Sequence, residues 1–369
     1  YQRRVHYGLV TGNDQSIPNS VQLIKSMVVR HLSHITPTLS FFSRRSVSSN
    51  CRNSQMGTEN LSLIGKTKRA NYRLCNVSGY KTDLLEIHAK DPKFHVLFIP
   101  GNPGVISFYV DFLESLYDLL DGTASVTAIS HIAQTEKNWE RGRLFSLQEQ
   151  IDHKMNFIEH ELQDVGVPIV LVGHSIGSYI SLEIFKRFQK KLTYCICLYP
   201  FLAVNTKSST QTIIKKIAAS RTLSTCLSSI IAILGFLPAW VSRILVNNSV
   251  GNSWCPSAVD ALCSHVLKYH AVQNMLYLAK TEFEKLSEIP DWSFMREKKS
   301  QLAFLFGVND HWGPLDLYEE ISNKVPGAVL AVEEGNYTHA FSCTEAGSLW
   351  VAQHVSVLLK NYFSKIDSK

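Results

Sequence analysis

Metal-binding spacing is missing from this 369-residue chain. Its eight cysteines, at 51, 75, 195, 197, 226, 255, 263 and 343, form no Cys-x-x-Cys pair and no Cys/His grouping of the zinc type. Cys195 and Cys197 lie inside an apolar run, where a thiol behaves as a small hydrophobe, so reduced thiols and no metal are expected. Net charge is missing from most of the chain as well. The formal +6 resides in residues 1–55, which hold seven Lys/Arg against one Asp, and residues 56–369 balance to zero. A neutral body offers no electrostatic footprint for nucleic acid. No basic stretch near the start is followed by a continuous apolar core, so secretion is not expected. Long apolar runs are scarce: a single stretch of 21 uncharged residues separates Arg221 from Arg243.

Residues 1–55 are rich in Ser and Arg and almost free of acids, a composition shared with mitochondrial transit peptides. They are expected to be a disordered or non-native extension ahead of Met56 and the charge-balanced chain.

With 45% hydrophobic residues, the rest can bury a large core. Strand-like runs at 95–99, 125–130, 168–172, 193–199, 302–306 and 328–332 alternate with helix-like segments. Leu147, Ile151, Ile158 and Leu162, for example, fall on one helical stripe. This alternation predicts an α/β fold, a mostly parallel sheet covered by helices on both faces. The division expected is a core over 56–200 and 299–364, with a helical cap over 201–298.

Gly173-His174-Ser175-Ile176-Gly177 follows the apolar run Ile169–Val172 and precedes a helix-like stretch, 178–190. That is the context of a nucleophile elbow, in which the glycines make room for a sharp turn that exposes the serine. A serine hydroxyl is a poor nucleophile near neutrality; it needs a histidine to take its proton and a carboxylate to orient the imidazole. The run 302–306 leads into a Gly-opened loop with Asp310, and the run 328–332 leads into a loop with His339. Serine, acid and histidine thus come in the chain order of this architecture, each after a strand. Ser175 is read as nucleophile, Asp310 as acid and His339 as base. His311 adjoins Asp310 too closely to share the task, and Glu333 and Glu334, on the same loop as His339, rank second as the acid. Backbone amides of Ile176, just after the serine, and of Asn102, in the turn Pro100-Gly-Asn-Pro-Gly104 after a strand, are the candidates for an oxyanion hole.

By length alone the uncharged run 222–242 could cross a bilayer. One crossing, however, would part Ser175 from Asp310 and His339, and no second run of that length brings the chain back. An interfacial hairpin broken near Gly235 and Pro238, or an apolar cap over the site, remains, beside the plainer reading of a buried cap helix. Lys215, Lys216, Arg221 and Arg243 flank the run and suit phospholipid headgroups. The sequon Asn336-Tyr-Thr338 would put a glycan beside His339 in an oxidising lumen, which favours the cytosolic side.

Ile99-Pro-Gly-Asn-Pro-Gly104 with Phe108-Tyr109, Gly173–Tyr179, Asp310-His-Trp-Gly-Pro314 and Thr338-His-Ala-Phe341 together resemble the lipid droplet-associated hydrolase family, over roughly residues 93–362. The resemblance implies an α/β-hydrolase fold, with nucleophile, acid and base on Ser175, Asp310 and His339. It also implies attachment to lipid droplets and endoplasmic reticulum through an apolar insertion around 211–246. The function expected is hydrolysis of a lipid or sterol ester at such a surface, from its cytosolic face, without metal or organic cofactor. An acyltransferase using the same acyl-enzyme, or a non-catalytic droplet-surface scaffold, are the alternatives.

Overall fold

A computed structural model describes residues 69–250 and 253–367. The extension expected over 1–55 lies outside the described residues. Eight strands form one sheet in the order β1-β2-β4-β3-β5-β6-β7-β8. They are β1 (Asn71–Val77), β2 (Tyr80–Ile87), β3 (Phe94–Ile99), β4 (Ala124–Ile129), β5 (Ile169–His174), β6 (Leu192–Leu198), β7 (Leu302–Gly307) and β8 (Val329–Glu333). From β4 onward across the sheet every pairing is parallel, while β1 and β2 are antiparallel to their neighbours.

Strands β3 to β7 are buried along their length, because helices cover both faces. The period of two is legible in the core. Phe94, Val96 and Phe98 join Val170, Val172, Ile196, Leu198, Ala303 and Leu305 on one face, against α1 (Val110–Leu119) and α11 (Glu345–Asp367). Leu97 and Ile99 join Leu171, Cys195, Cys197, Phe304 and Phe306 on the other, against α2 (Leu147–His160), α3 (Ile176–Arg187) and α10 (Leu315–Lys324). Helix α2 starts where its sequence says it should: Ser146 Oγ accepts from Glu149 N, and the Glu149 carboxylate accepts from Ser146 N at 2.8 Å.

The hairpin β1–β2 was not among the expected strands. Its two-residue turn, Ser78-Gly79, has both φ values positive, at 52° and 91°, the geometry that suits a tight hairpin. Most of β1 is exposed at the sheet edge, so it lacks the apolar run by which the other strands are recognised.

Between β6 and β7 the chain forms α4 (Ser209–Ala219), α5 (Arg221–Gly235), α6 (Ala239–Val250), α7 (Pro256–Ala261), a π-helical turn, α8 (Tyr269–Lys285) and α9 (Trp292–Glu297). Helices α4 and α5 meet at 98°. Ser220 makes the corner, its hydroxyl accepting from Leu223 N at 3.3 Å to cap α5. No single helix among the described residues is long and apolar enough to cross a membrane.

Helix α5 buries small residues most deeply. Its buried positions are Ser224, Ser228 and Ala232, one face at i, i+4, i+8, with Ser228 Oγ bonded by Gln273 of α8 at 2.9 Å. Leu227, Ile231 and Leu234 pack half-buried against the core, whereas other large apolar residues of α5, α6 and their junction point outward: Ile233 is 63%, Phe236 87% and Trp240 67% exposed. The chain breaks at 236–238, so the long uncharged run forms a hairpin of two helices that packs partly on the core and carries its most exposed apolar residues at and near the junction. Lys215, Lys216 and Arg221 are exposed beside it, whereas Arg243 is paired with Asp260 at 2.8 Å.

Helix α8 belongs to the core by its polar contacts. Gln134 Nε2 donates to Ala271 O at 3.1 Å, Phe145 N to Asn274 Oδ1 at 3.1 Å, and Leu147 N to Thr281 Oγ1 at 2.9 Å.

Candidate active site

Ser175 stands between β5 and α3, at the C-terminal end of the central strands, where open α/β sheets place their ligands. Its backbone is at φ 55°, ψ −123°, a region that costs a side-chain-bearing residue of order 1–3 kcal/mol. The turn is held from both sides: Ser175 N donates to Leu198 O at 3.0 Å, and Ser175 O accepts from Phe201 N at 3.2 Å. The flanking glycines are required by close approach. A Cβ on Gly177 would lie 2.3 Å from Ile99 O, and one on Gly173 2.3 Å from Gly177 O. Ile176 is the first residue of α3, so its amide belongs to the unpaired, electropositive end of that helix.

Asp310 follows β7, its side chain buried. Its Oδ1 accepts from Trp312 N at 2.9 Å, which closes a turn and fixes the carboxylate, and its Oδ2 accepts from His339 Nδ1 at 2.8 Å. Because that carboxylate oxygen only accepts, Nδ1 carries the proton and a neutral imidazole keeps its lone pair on Nε2.

The loop that carries His339 is tied to the elbow through His174. His174 Nε2 donates to His339 O at 2.9 Å, and the two rings lie 4.8 Å apart. Burial pushes His174 well below the usual histidine range, so it is neutral, and its Nδ1 accepts from Tyr109 Oη at 2.8 Å. Tyr109 Oη in turn accepts from Gly101 N at 3.2 Å, so one line of hydrogen bonds joins the loop after β3, the elbow and the loop after β8. The structure thus brings Asp310 and His339 into contact and ties the His339 loop to the residue before Ser175.

Gly101 presses on the nucleophile: a Cβ there would come within 2.9 Å of Ser175 Cβ. The next residue, Asn102, is anchored by its side chain, Nδ2 donating to Met275 O at 2.9 Å and to Glu282 Oε1 at 3.1 Å, both on α8. Tyr109, His174 and Glu282 were missed by sequence reasoning. For Glu282 a signal existed, since it lies four residues after Leu278 and three after Ala279 on the buried stripe of α8, where a carboxylate is out of place.

Of the second-choice acids, Glu333 is buried at the end of β8, and its Oε2 accepts from Tyr337 N at 3.0 Å, a bond within its own loop. Glu334 is exposed, and so is His311, whose carbonyl accepts from Gln211 Nε2 at 2.8 Å. Among the described residues no group of three or more His, Cys, Asp or Glu could hold a metal ion.

A family described as lipid-droplet associated hydrolase matches residues 92–342. Among similar proteins bearing the name lipid droplet-associated hydrolase, that of Dictyostelium discoideum is 28% identical, the match covering 76% of this chain and 94% of the relative. That of Homo sapiens is 27% identical, covering 70% and 83%. Solved structures with the same fold include a haloalkane dehalogenase variant from Bradyrhizobium elkanii, with a TM-score of 0.60 at 12% identity over 80% of this chain and 99% of that one. They also include a carboxylesterase from Nitrososphaera gargenis, with a TM-score of 0.54 at 13% identity over 81% and 99%. At such identities the likeness concerns the α/β-hydrolase fold alone.

Proposed function

The chain belongs to the lipid droplet-associated hydrolase family, and from that premise we propose that it is a serine hydrolase acting on lipid or sterol esters at a droplet or endoplasmic reticulum surface, from its cytosolic face. The observation that carries the chemistry is the Asp310–His339 bond, on a loop tied through His174 to a serine held in a strained elbow. His339 Nε2 takes the Ser175 proton as Oγ attacks the ester carbonyl, and Asp310 steadies the imidazolium. The oxyanion is met by the amides of Ile176 and Asn102. Gly101 N is already committed to Tyr109, which leaves the Asn102 amide as the loop's donor. His339 then protonates the departing alcohol, and water, activated by the same base, releases the acid.

The exposed apolar residues Ile233, Phe236 and Trp240 support the surface assignment, because apolar side chains turned outward gain most where they leave water for lipid. A fluorophosphonate probe on the purified protein, in detergent and on a lipid emulsion, tests the reading. Labelling that disappears in Ser175→Ala is expected; absence of labelling on both surfaces would refute an activated serine. Partition of a labelled acyl group between water and added alcohol separates hydrolysis from transfer, with water favoured.

Asp310→Asn is expected to lower kcat by about 10,000-fold while leaving the fold intact. Trp312 N must keep an oxygen opposite it, so the new amide would turn its NH2 towards His339 Nδ1 and enforce the tautomer that cannot accept the serine proton. Steady-state kinetics with a short soluble ester reads this out, and a loss smaller than tenfold would remove Asp310 from the role.

A further inference from the structure

Glu282 is an unusual residue to find in the middle of a packed helix face. It is 2% exposed, and the bond it accepts from Asn102 Nδ2 links the insertion to the loop that presses on Ser175. The orientation of the Asn102 amide is not free. Its second donated bond goes to Met275 O, a carbonyl that only accepts, so the NH2 must lie on that side. Asn102 Oδ1 is then left buried, and among the described residues no assigned donor reaches it. A buried carboxylate and a buried orphan acceptor on neighbouring side chains are both costly, and one proton removes both costs.

We propose that Glu282 is a positioning residue held as the neutral acid: its Oε1 accepts from Asn102 Nδ2, its Oε2–H donates to Asn102 Oδ1, and this amide–acid pair fixes the oxyanion loop against the nucleophile. The inference rests on the serine hydrolase reading for its kinetic consequence, though not for the protonation itself. Burial pushes the Glu282 carboxyl up to about 8, opposed only by the Asn102 hydrogen bond. Charged groups on the surrounding elements are engaged elsewhere or turned to solvent. Lys280 pairs with Glu284 and Lys285 with Glu288 on and just beyond its own helix. Lys215 and Lys216 of α4 and Arg221 of α5 are exposed. On α2, Lys154 donates to Ser130 O and Gln150 Oε1, and His153 bonds Thr82. His270 of α8 bonds Thr135 O.

Below a pH of about 8 the acid is protonated and the pair is closed. As pH rises through that value, the Oε2–H bond is lost and a carboxylate oxygen is left against the orphan Asn102 Oδ1, which loosens the loop although Asn102 Nδ2 keeps its bond to Met275 O. Because the folded value lies above the ordinary carboxylate range, the associated stability is full at acid pH and is lost as pH rises to about 8.

The experiment uses the full chain, its Glu282→Gln and Glu282→Leu variants, and two independent readouts across the neutral-to-alkaline range. The first is the carbonyl band of a protonated carboxyl in infrared difference spectra, wild type minus Glu282→Gln. The band is expected to be present at neutral pH and to vanish on titration through about 8. The second is kcat and KM on a soluble ester. Glu282→Leu is expected to lose about tenfold or more in kcat with little change in KM, as a displaced oxyanion donor would. Glu282→Gln, whose amide can make the same two bonds, is expected to restore most of it and to lack the wild type's alkaline fall. Absence of the band, or an identical alkaline fall in Glu282→Gln, would overturn the proposal. A titrating band in a protein that hydrolyses no ester would support the pair and instead refute the serine hydrolase reading. If Glu282→Leu does not fold, the wild type and Glu282→Gln comparison decides by itself.

Discussion

Ser175→Ala is expected to lower kcat by about 10,000-fold to 1,000,000-fold, and adding His339→Ala is expected to cost almost nothing more. The two side chains act as a unit: once there is no hydroxyl to deprotonate, a base has no task. Hydrolysis of a soluble ester by the two single variants and the double variant, measured under one condition, checks this. Losses that add in the double variant, or a Ser175→Ala protein that keeps its rate, would show that the proposed pair is not the catalytic one. A companion expectation comes from the backbone. Ser175 holds φ 55° and ψ −123°, which glycine adopts without penalty, so Ser175→Gly should be inactive yet about 1 kcal/mol or more stabler to unfolding. Its Tm should rise, and a fall would mean that the elbow is not strained.

The second large effect concerns the surface. Phe236 and Trp240 are the most exposed large apolar side chains of the helical hairpin, at 87% and 67%. If they enter lipid, each contributes about 1.5–3 kcal/mol on transfer, and carboxylates in their place add a desolvation cost. Phe236→Asp with Trp240→Asp is therefore expected to weaken binding to triglyceride emulsions or phospholipid vesicles by at least about 100-fold. Turnover of a soluble ester should stay at the level of the parent protein. Flotation of the protein with the lipid reads the first and steady-state kinetics the second. Retention of full binding would locate attachment elsewhere in the chain.

Much of this was legible in the residues because burial on both faces leaves an unbroken apolar signature. Strands β3 to β7, and the half-exposed β8 as well, each fell within about two residues of the runs seen in the sequence, an ordinary margin for element ends. Asp310 and His339, named only from their place after two such runs, are in contact. What was not legible depends on partners distant in sequence. Nothing near Asn102 announces that its amide is held from residues 275 and 282. The edge hairpin β1–β2 escaped for the opposite reason: its contacts are local, but exposure of β1 erases the apolar pattern. The serine face of α5 lay in between. Its serine spacing at 224 and 228 was visible, yet only packing against α8 tells that the serines point inward.

The insertion leaves the sheet at the end of β6 and returns at the start of β7, and those two strands are direct neighbours, with Cys195 opposite Leu302. Because the two strands are parallel, the excursion departs at the C-terminal end of β6 and re-enters at the N-terminal end of β7, two points that the strand register fixes whatever lies between them. Lengthening such an excursion costs little, about 0.6 kcal/mol for each doubling of a flexible loop, and shifts no strand register. Helices α4 to α7 can therefore grow, shrink or change their outer surface without disturbing the sheet. Helix α8, sewn to the loops after β3 and β4, has no such freedom, and lineages that remodel the outer hairpin should keep it in place.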